Sequence, residues 1–142
     1  MEKSNHTMNS PHDTPLNLTP EEITHIVKKN ALKDKEILAA ISFGSYPQKG
    51  FSDIDVCIVL YPGKYDNLYI SERKLQLMVR LKDFDIHIFQ QLPLYIRVRV
   101  LKGDIIFCRD EKMLYEIAVQ TMKEFEDYKR IYYEYLSGVA RG

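Results

Sequence analysis

Two short apolar runs, ILAAISF at 37–43 and VCIVL at 56–60, constrain this chain most, because both suit buried strands and together they bracket a Gly44-Ser45 break and an Asp53-Ile54-Asp55 triplet. Side chains alternate along a strand, so Asp53 and Asp55 fall on one face at the start of the second run. Two neighbouring carboxylates repel unless a divalent cation or a proton neutralises them, which points to hard-metal ligation by oxygen. Taken alone, an Asp-x-Asp more often does no more than keep a strand end soluble.

The preceding residues change that balance. Gly44 allows close backbone approach, and the amides and hydroxyl at Ser45 can donate to anionic oxygens where a loop or helix begins. Phosphate held there and metal held at Asp53 and Asp55 would together grip a nucleoside triphosphate. Gly44-Ser45 followed by Ser52-Asp53-Ile54-Asp55-Val56 resembles the signature of the polymerase-β-like nucleotidyltransferases, and the short length resembles their minimal nucleotidyltransferase branch, which includes MntA-like antitoxins. The resemblance implies an α/β (α+β) fold: a small mixed sheet with flanking helices. It also implies transfer of AMP from ATP to a hydroxyl, with two Mg²⁺ ions as cofactors.

Family members carry a third carboxylate on a later strand, and the resemblance assigns it to Phe84-Asp85-Ile86-His87-Ile88-Phe89. Apolar Phe84 and Ile86 bracket Asp85. Strand periodicity puts Asp83, Asp85 and His87 on one face, so Asp83 competes for the role. The implied catalytic and metal-binding set is thus Asp53, Asp55 and Asp85, with Gly44, Ser45, Lys49 and Ser52 on the phosphates. His87 is either an innocent strand residue, a group orienting Asp85 or the nucleotide, or a proton acceptor. The interval from Tyr46 to Ser52 is shorter than the usual family linker and lacks its Arg-Gly form. Lys49-Gly50 can substitute, offering a point charge rather than a bidentate fork. The order Lys-Gly does not make a Walker A loop, which needs Gly-Lys-Ser/Thr.

The acceptor implied by the antitoxin resemblance is a tyrosine on a HEPN-domain toxin partner. The alternatives are a small-molecule acceptor such as an aminoglycoside, and a non-catalytic binding module that acts by contact alone. Lys plus Arg and Asp plus Glu each number 20, so no bulk attraction to nucleic acid or to an anionic membrane is expected. Cys57 and Cys108 lie in apolar runs without a Cys-x-x-Cys motif, and buried reduced thiols are expected. With no apolar signal core and no run of about 18 apolar residues, the expected location is the cytoplasm.

At 142 residues the chain is long enough for one domain, expected over 18–142, after a polar 1–17 tail with too little apolar surface to fold. Thr19-Pro20-Glu21-Glu22 predicts a capped helix start and Ile23, Ile26 and Val27 its apolar face, with the end near Asn30 and His25 on the surface. A Tyr61-Pro62-Gly63 turn precedes a helix over 67–81, in which Leu68, Leu75, Met78 and Val79 are expected in the core. A helix over 92–102 starts near Pro93 and stops at Gly103, leaving Arg97 and Arg99 on a solvated face. A strand over 105–108 follows. Asp110 caps a long final helix to about Ser137, with Gly138 as its stop and a tyrosine-rich end that fits either surface or partner.

Overall fold

The computed structural model describes residues 19–44 and 54–141, with side chains described through Val139. The expectations for the 1–17 tail and for Ser45, Lys49, Ser52 and Asp53 fall outside the described residues. The element order is α1 (Pro20–Leu32), β1 (Ile37–Phe43), β2 (Ile54–Leu60), α2 (Asn67–Arg80), β3 (Phe84–Ile88), a single 3-10 turn (Phe89–Gln91), α3 (Leu94–Leu101), β4 (Asp104–Cys108) and α4 (Glu111–Arg141). The four strands form one mixed sheet in the order β3-β2-β1-β4. β1 is antiparallel to β2 and β4, while β2 and β3 are parallel and joined through α2. Among the described residues no helix is long and apolar enough to cross a membrane.

Period-two alternation builds a core on each side of the sheet. Ile54, Val56, Ile58 and Leu60 of β2 face α1 and α2, packing with Val27, Ala31, Ile70 and Leu77. Cys57 and Val59 face the other way, towards Val100 of α3 and Leu114 of α4. Both cysteines are free, Cys57 buried and Cys108 half-buried. Burial pushes both thiols above their ordinary pKa, which favours the protonated thiol over the thiolate.

Caps written into the sequence define the helix starts. Thr19 accepts from the Glu22 amide at 3.1 Å and Glu22 accepts from the Thr19 amide at 2.8 Å, closing the capping box. The Asp110 carboxylate accepts from the Met113 amide at 3.1 Å. Helix ends depart further from expectation. α1 continues past Asn30 to Leu32, and α4 runs through Gly138 to Arg141. A Cβ at Gly138 would meet nothing, and an exposed glycine costs a helix only about 1 kcal/mol relative to alanine, too little to stop it alone.

The buried face of α2 differs from the expected one. Leu68 and Met78 are exposed, and Leu75 and Val79 are 60% and 76% exposed, whereas Ile70 and Leu77 are buried. The reason is Arg73, midway along the buried face between Ile70 and Leu77. Its guanidinium pairs with Asp34 and, at 3.5 Å, with Glu36 in the turn before β1. A charged residue therefore occupies a position that an apolar stripe would fill, and the more conspicuous apolar residues sit on the solvent side. Truncating Leu77 to alanine should lower stability by about 2–5 kcal/mol, while Leu75→Ala should change it by no more than about 0.5 kcal/mol. Urea denaturation of both variants checks the reassigned face.

Candidate active site

The end of β1 and the starts of β2, β3 and β4 meet at one edge of the sheet, because β1 runs opposite to β2 and β4 and β3 runs with β2. At this edge parallel pairing sets Asp55 directly beside Asp85 and Cys57 beside His87. Alternation with buried Ile54 and Val56 directs Asp55 to the α3/α4 face, and His87 lies between the two acids. Its Nε2 is 3.3 Å from Asp55 Oδ1 and 3.3 Å from Asp85 Oδ2. One ligand atom from each of the three residues fits within 4.8 Å of the others. Asp83, the competing carboxylate, sits in the turn before β3 and is not part of this cluster.

The supporting residues explain the geometry. Phe43 is the antiparallel partner of Asp55, and its ring meets the His87 imidazole edge-on at 5.3 Å between centroids. Gly44 follows with φ of 91°, and a Cβ there would lie 2.5 Å from Asp55 Oδ2. Glycine is thus required twice, by the left-handed backbone and by the approach of the carboxylate. Of the residues expected on the phosphates, Gly44 is the one within the described residues, and it adjoins the acids directly.

Burial and the hydrogen bond and charge of Asp85 raise the Asp55 pKa, with His87 opposing in part. A carboxylate pair that holds on to a proton is a pair that a cation can neutralise instead. Asp55, Asp85 and His87 are the described residues that could each offer a metal one ligand atom. The two carboxylates, with the Asp85 side chain 51% exposed, supply the hard oxygens that suit a divalent ion retaining water ligands, while the imidazole can instead hydrogen-bond to them.

Two clefts flank the cluster. One, of about 380 Å³, is lined by Ser42, Phe43, Gly44, Arg99, Lys102, Gly103 and Asp104. The other, of about 500 Å³, lies along the β3 side and includes Asn67, Lys74, His87 and Gln91. Sequence reasoning missed Phe43 as a support for His87 and left Arg99 on a solvated face. Arg97 does pack as a structural residue, with Glu124 at 3.9 Å and the Phe89 ring beneath it at 5.8 Å. Arg99 instead lines the first cleft, and no local pattern in a short amphipathic helix separates the two.

The family model described as polymerase beta, nucleotidyltransferase, matches residues 21–112, which include every described residue of the cluster. The chain belongs to this nucleotidyltransferase family. A Methanocaldococcus jannaschii protein named "Putative protein adenylyltransferase MJ1547" is 30% identical over 99 residues, covering 67% of this chain and 75% of that protein. Among solved structures, a toxin–antitoxin complex with AMP-PNP aligns with a TM-score of 0.59 at 20% identity, covering 86% of this chain and 98% of the other. The MNT antitoxin bound to a tri-AMPylated Shewanella oneidensis HEPN toxin gives a TM-score of 0.57 at 19% identity, covering 84% and 94%. These likenesses show the polymerase-β-like fold, with the small mixed sheet and long final helix that the sequence led us to expect.

The crowded acids make a prediction about the metal-free protein. The native state keeps the Asp55 proton above the ordinary value of 3.8 at which an unfolded chain loses it, so stability should fall as pH rises through that window. Asp85→Asn removes the repelling charge and should flatten the fall; Mg²⁺ should restore stability to the parent more strongly as pH rises. Melting temperatures from pH 4 to 8, with EDTA and with Mg²⁺, test both slopes.

Proposed function

We propose that this chain transfers AMP from ATP to a tyrosine hydroxyl of a HEPN-domain toxin and thereby acts as its antitoxin. The observation that carries the reading is the Asp55–Asp85–His87 cluster held against Gly44 at the strand ends. The adenylyltransferase name of the relative supports AMP as the transferred group. The AMPylated toxin in one structural neighbour, and AMP-PNP in another, support the acceptor and the donor.

In this reading Asp53, Asp55 and Asp85 hold two Mg²⁺ ions. Bound there, the ions would supply charge stabilisation to the attacking and leaving oxygens of an in-line displacement. Gly44, Ser45, Lys49 and Ser52 bind the phosphates of ATP. The acceptor oxygen forms a bond to the α-phosphorus, the bond from that phosphorus to the bridging oxygen breaks, and pyrophosphate leaves with the electron pair. Asp85, the more exposed acid, receives the hydroxyl proton. His87 touches both carboxylates and fixes their rotamers, so it acts as a positioning residue; the Phe43 ring in turn limits its own movement.

The partner would be met in part by α4, whose outer half carries exposed Tyr128, Ile131, Tyr132 and Tyr135 along the continuation of its buried face. Phe125, Tyr128, Tyr132 and Tyr135 recur at spacings of three and four, the interval that suits packing against another helix. The whole is read as a single domain over 18–142, placed in the cytoplasm, where a reducing environment suits two free thiols.

Incubation with α-labelled ATP, Mg²⁺ and a HEPN-domain toxin should place AMP on a toxin tyrosine, located by peptide mass spectrometry. Asp55→Asn or Asp85→Asn should reduce transfer by about a hundredfold or more, and His87→Ala by about 10–100-fold, with folding and ATP binding retained in the His87 variant. A toxin that is neutralised without gaining AMP would overturn the catalytic reading and leave the contact-only module.

A further inference from the structure

The acid cluster accounts for one side of the strand ends; the cleft on its β1/β4 side has a different character. It is lined by Ser42, Phe43 and Gly44 at the end of β1, and by Arg99, Lys102, Gly103 and Asp104 from the end of α3 through the turn into β4. Ser42 is the register partner of Val56 on one side and Asp104 on the other, so the β1 lining is continuous with the strand pair that carries Asp55. Arg99 and Lys102 are three residues apart, a spacing that brings side chains to one side of a helical turn, and both are exposed.

Among the described residues neither cation is engaged elsewhere. No ion pair or side-chain hydrogen bond holds Arg99 or Lys102 among the described residues, in contrast to Arg97 on the same helix, which pairs with Glu124. Their platform is nonetheless fixed. A Cβ on Gly103 would lie 2.3 Å from the Ser42 carbonyl oxygen, so the turn that follows Lys102 is pressed directly against β1. Val98 and Val100, on either side of Arg99, are buried and anchor the helix. Among the described residues Asp104 is the one acid lining this cleft, against two cations.

A carboxylate cluster that fits a divalent ion, next to a cleft with two cations unpaired among the described residues, matches a ligand with one oxyanionic group on the metal and further oxyanions beyond it. We propose that the cleft binds the β- and γ-phosphates of the nucleotide, with Arg99 as a bidentate donor and Lys102 as a point charge. This rests on the nucleotidyl-transfer reading for the identity of the ligand. It adds residues that stabilise charge on the departing pyrophosphate, since guanidinium and ammonium groups fixed beside a leaving oxyanion bind it more strongly as its charge develops.

The test uses the full chain with Mg²⁺ and three probes, inorganic tripolyphosphate, ATP and AMP, followed by calorimetry. Arg99→Ala and Lys102→Ala should each weaken tripolyphosphate and ATP by about tenfold or more, the range for a lost charged hydrogen bond, while AMP binding changes by less than about twofold. Arg99→Lys should recover part of the loss. Arg99→Gln, which keeps a polar side chain but removes the charge, should behave as the alanine variant does, and an unchanged melting temperature in either separates recognition from folding. Parent-like tripolyphosphate binding by the Arg99→Ala/Lys102→Ala double variant would overturn the assignment, as would an equal loss for AMP or no tripolyphosphate binding by the parent. Failure of AMP transfer to the toxin is read separately: if the charge variants still lose tripolyphosphate, the cleft is a polyphosphate site and it is the transfer reaction that is wrong.

Discussion

The parallel register of β2 on β3 is the constraint on which the site depends. It pairs Asp55 with Asp85, an unfavourable juxtaposition of like charges that cross-strand energetics alone would avoid. The core on the opposite face enforces it. Ile54, Val56 and Ile58 of β2 pair with Phe84, Ile86 and Ile88 of β3, all buried against α1 and α2. A slip of one residue would turn the carboxylates into that core and these apolar side chains towards α3 and α4, at a cost of several kcal/mol per buried charge. Hydrophobic burial on one side of the sheet thus holds electrostatic repulsion in place on the other, ready for a cation.

Other contacts keep the strand ends together. Arg109, just past β4, donates to the carbonyl oxygens of Ile37 at 2.9 Å, Ala31 at 2.9 Å and Asp34 at 3.1 Å. One guanidinium thereby ties the end of α1, the following turn and the start of β1 to β4. Arg73 reaches the same turn from α2 through Asp34 and Glu36. The turn before β1 is consequently held by charge from two distant elements, and β1, a central strand that ends just before Gly44, is positioned from its opposite end. Neither arginine carries a local sequence signature, since a charge on a helix and a charge after a strand both read as solvent-facing.

How much could be read in advance follows from where the determining interactions lie. Strands β1 and β2 are legible because their apolar residues are contiguous and flanked by glycine and aspartate; the α1 and α4 starts are legible because a cap is a contact within three residues. Asp85 and His87 could be placed on one face of their strand by period two, as Asp53 and Asp55 could on theirs, but the position of the imidazole between Asp55 and Asp85 required the β2–β3 register, which no local pattern encodes. The buried face of α2 was misread because its centre is Arg73, whose burial is compensated 37 to 39 residues away in the sequence, at Glu36 and Asp34. Arg99 and Arg97 are indistinguishable by spacing, and only the placement of α3 over the strand ends gives one to Glu124 and the other to the cleft.

The two clefts also give the site a direction. Were the polyphosphate tail bound towards Arg99 and Lys102 as proposed, the bridging oxygen that leaves the α-phosphorus would face α3. In-line displacement would then require the acceptor to enter from the other side, past β3. Asp85 lies on that outer strand, and its side chain is more exposed than that of Asp55, 51% against 33%. The second cleft opens along the same strand and has His87 in its lining. β3 is also an edge of the sheet, so an approaching segment need displace no neighbouring strand. The inner acid, held between strands and against Gly44, suits the metal-bound phosphate; the outer acid suits the incoming hydroxyl and its proton. In the proposed reaction, placing Asp55 and Asp85 at different depths would separate donor from acceptor with two otherwise identical side chains.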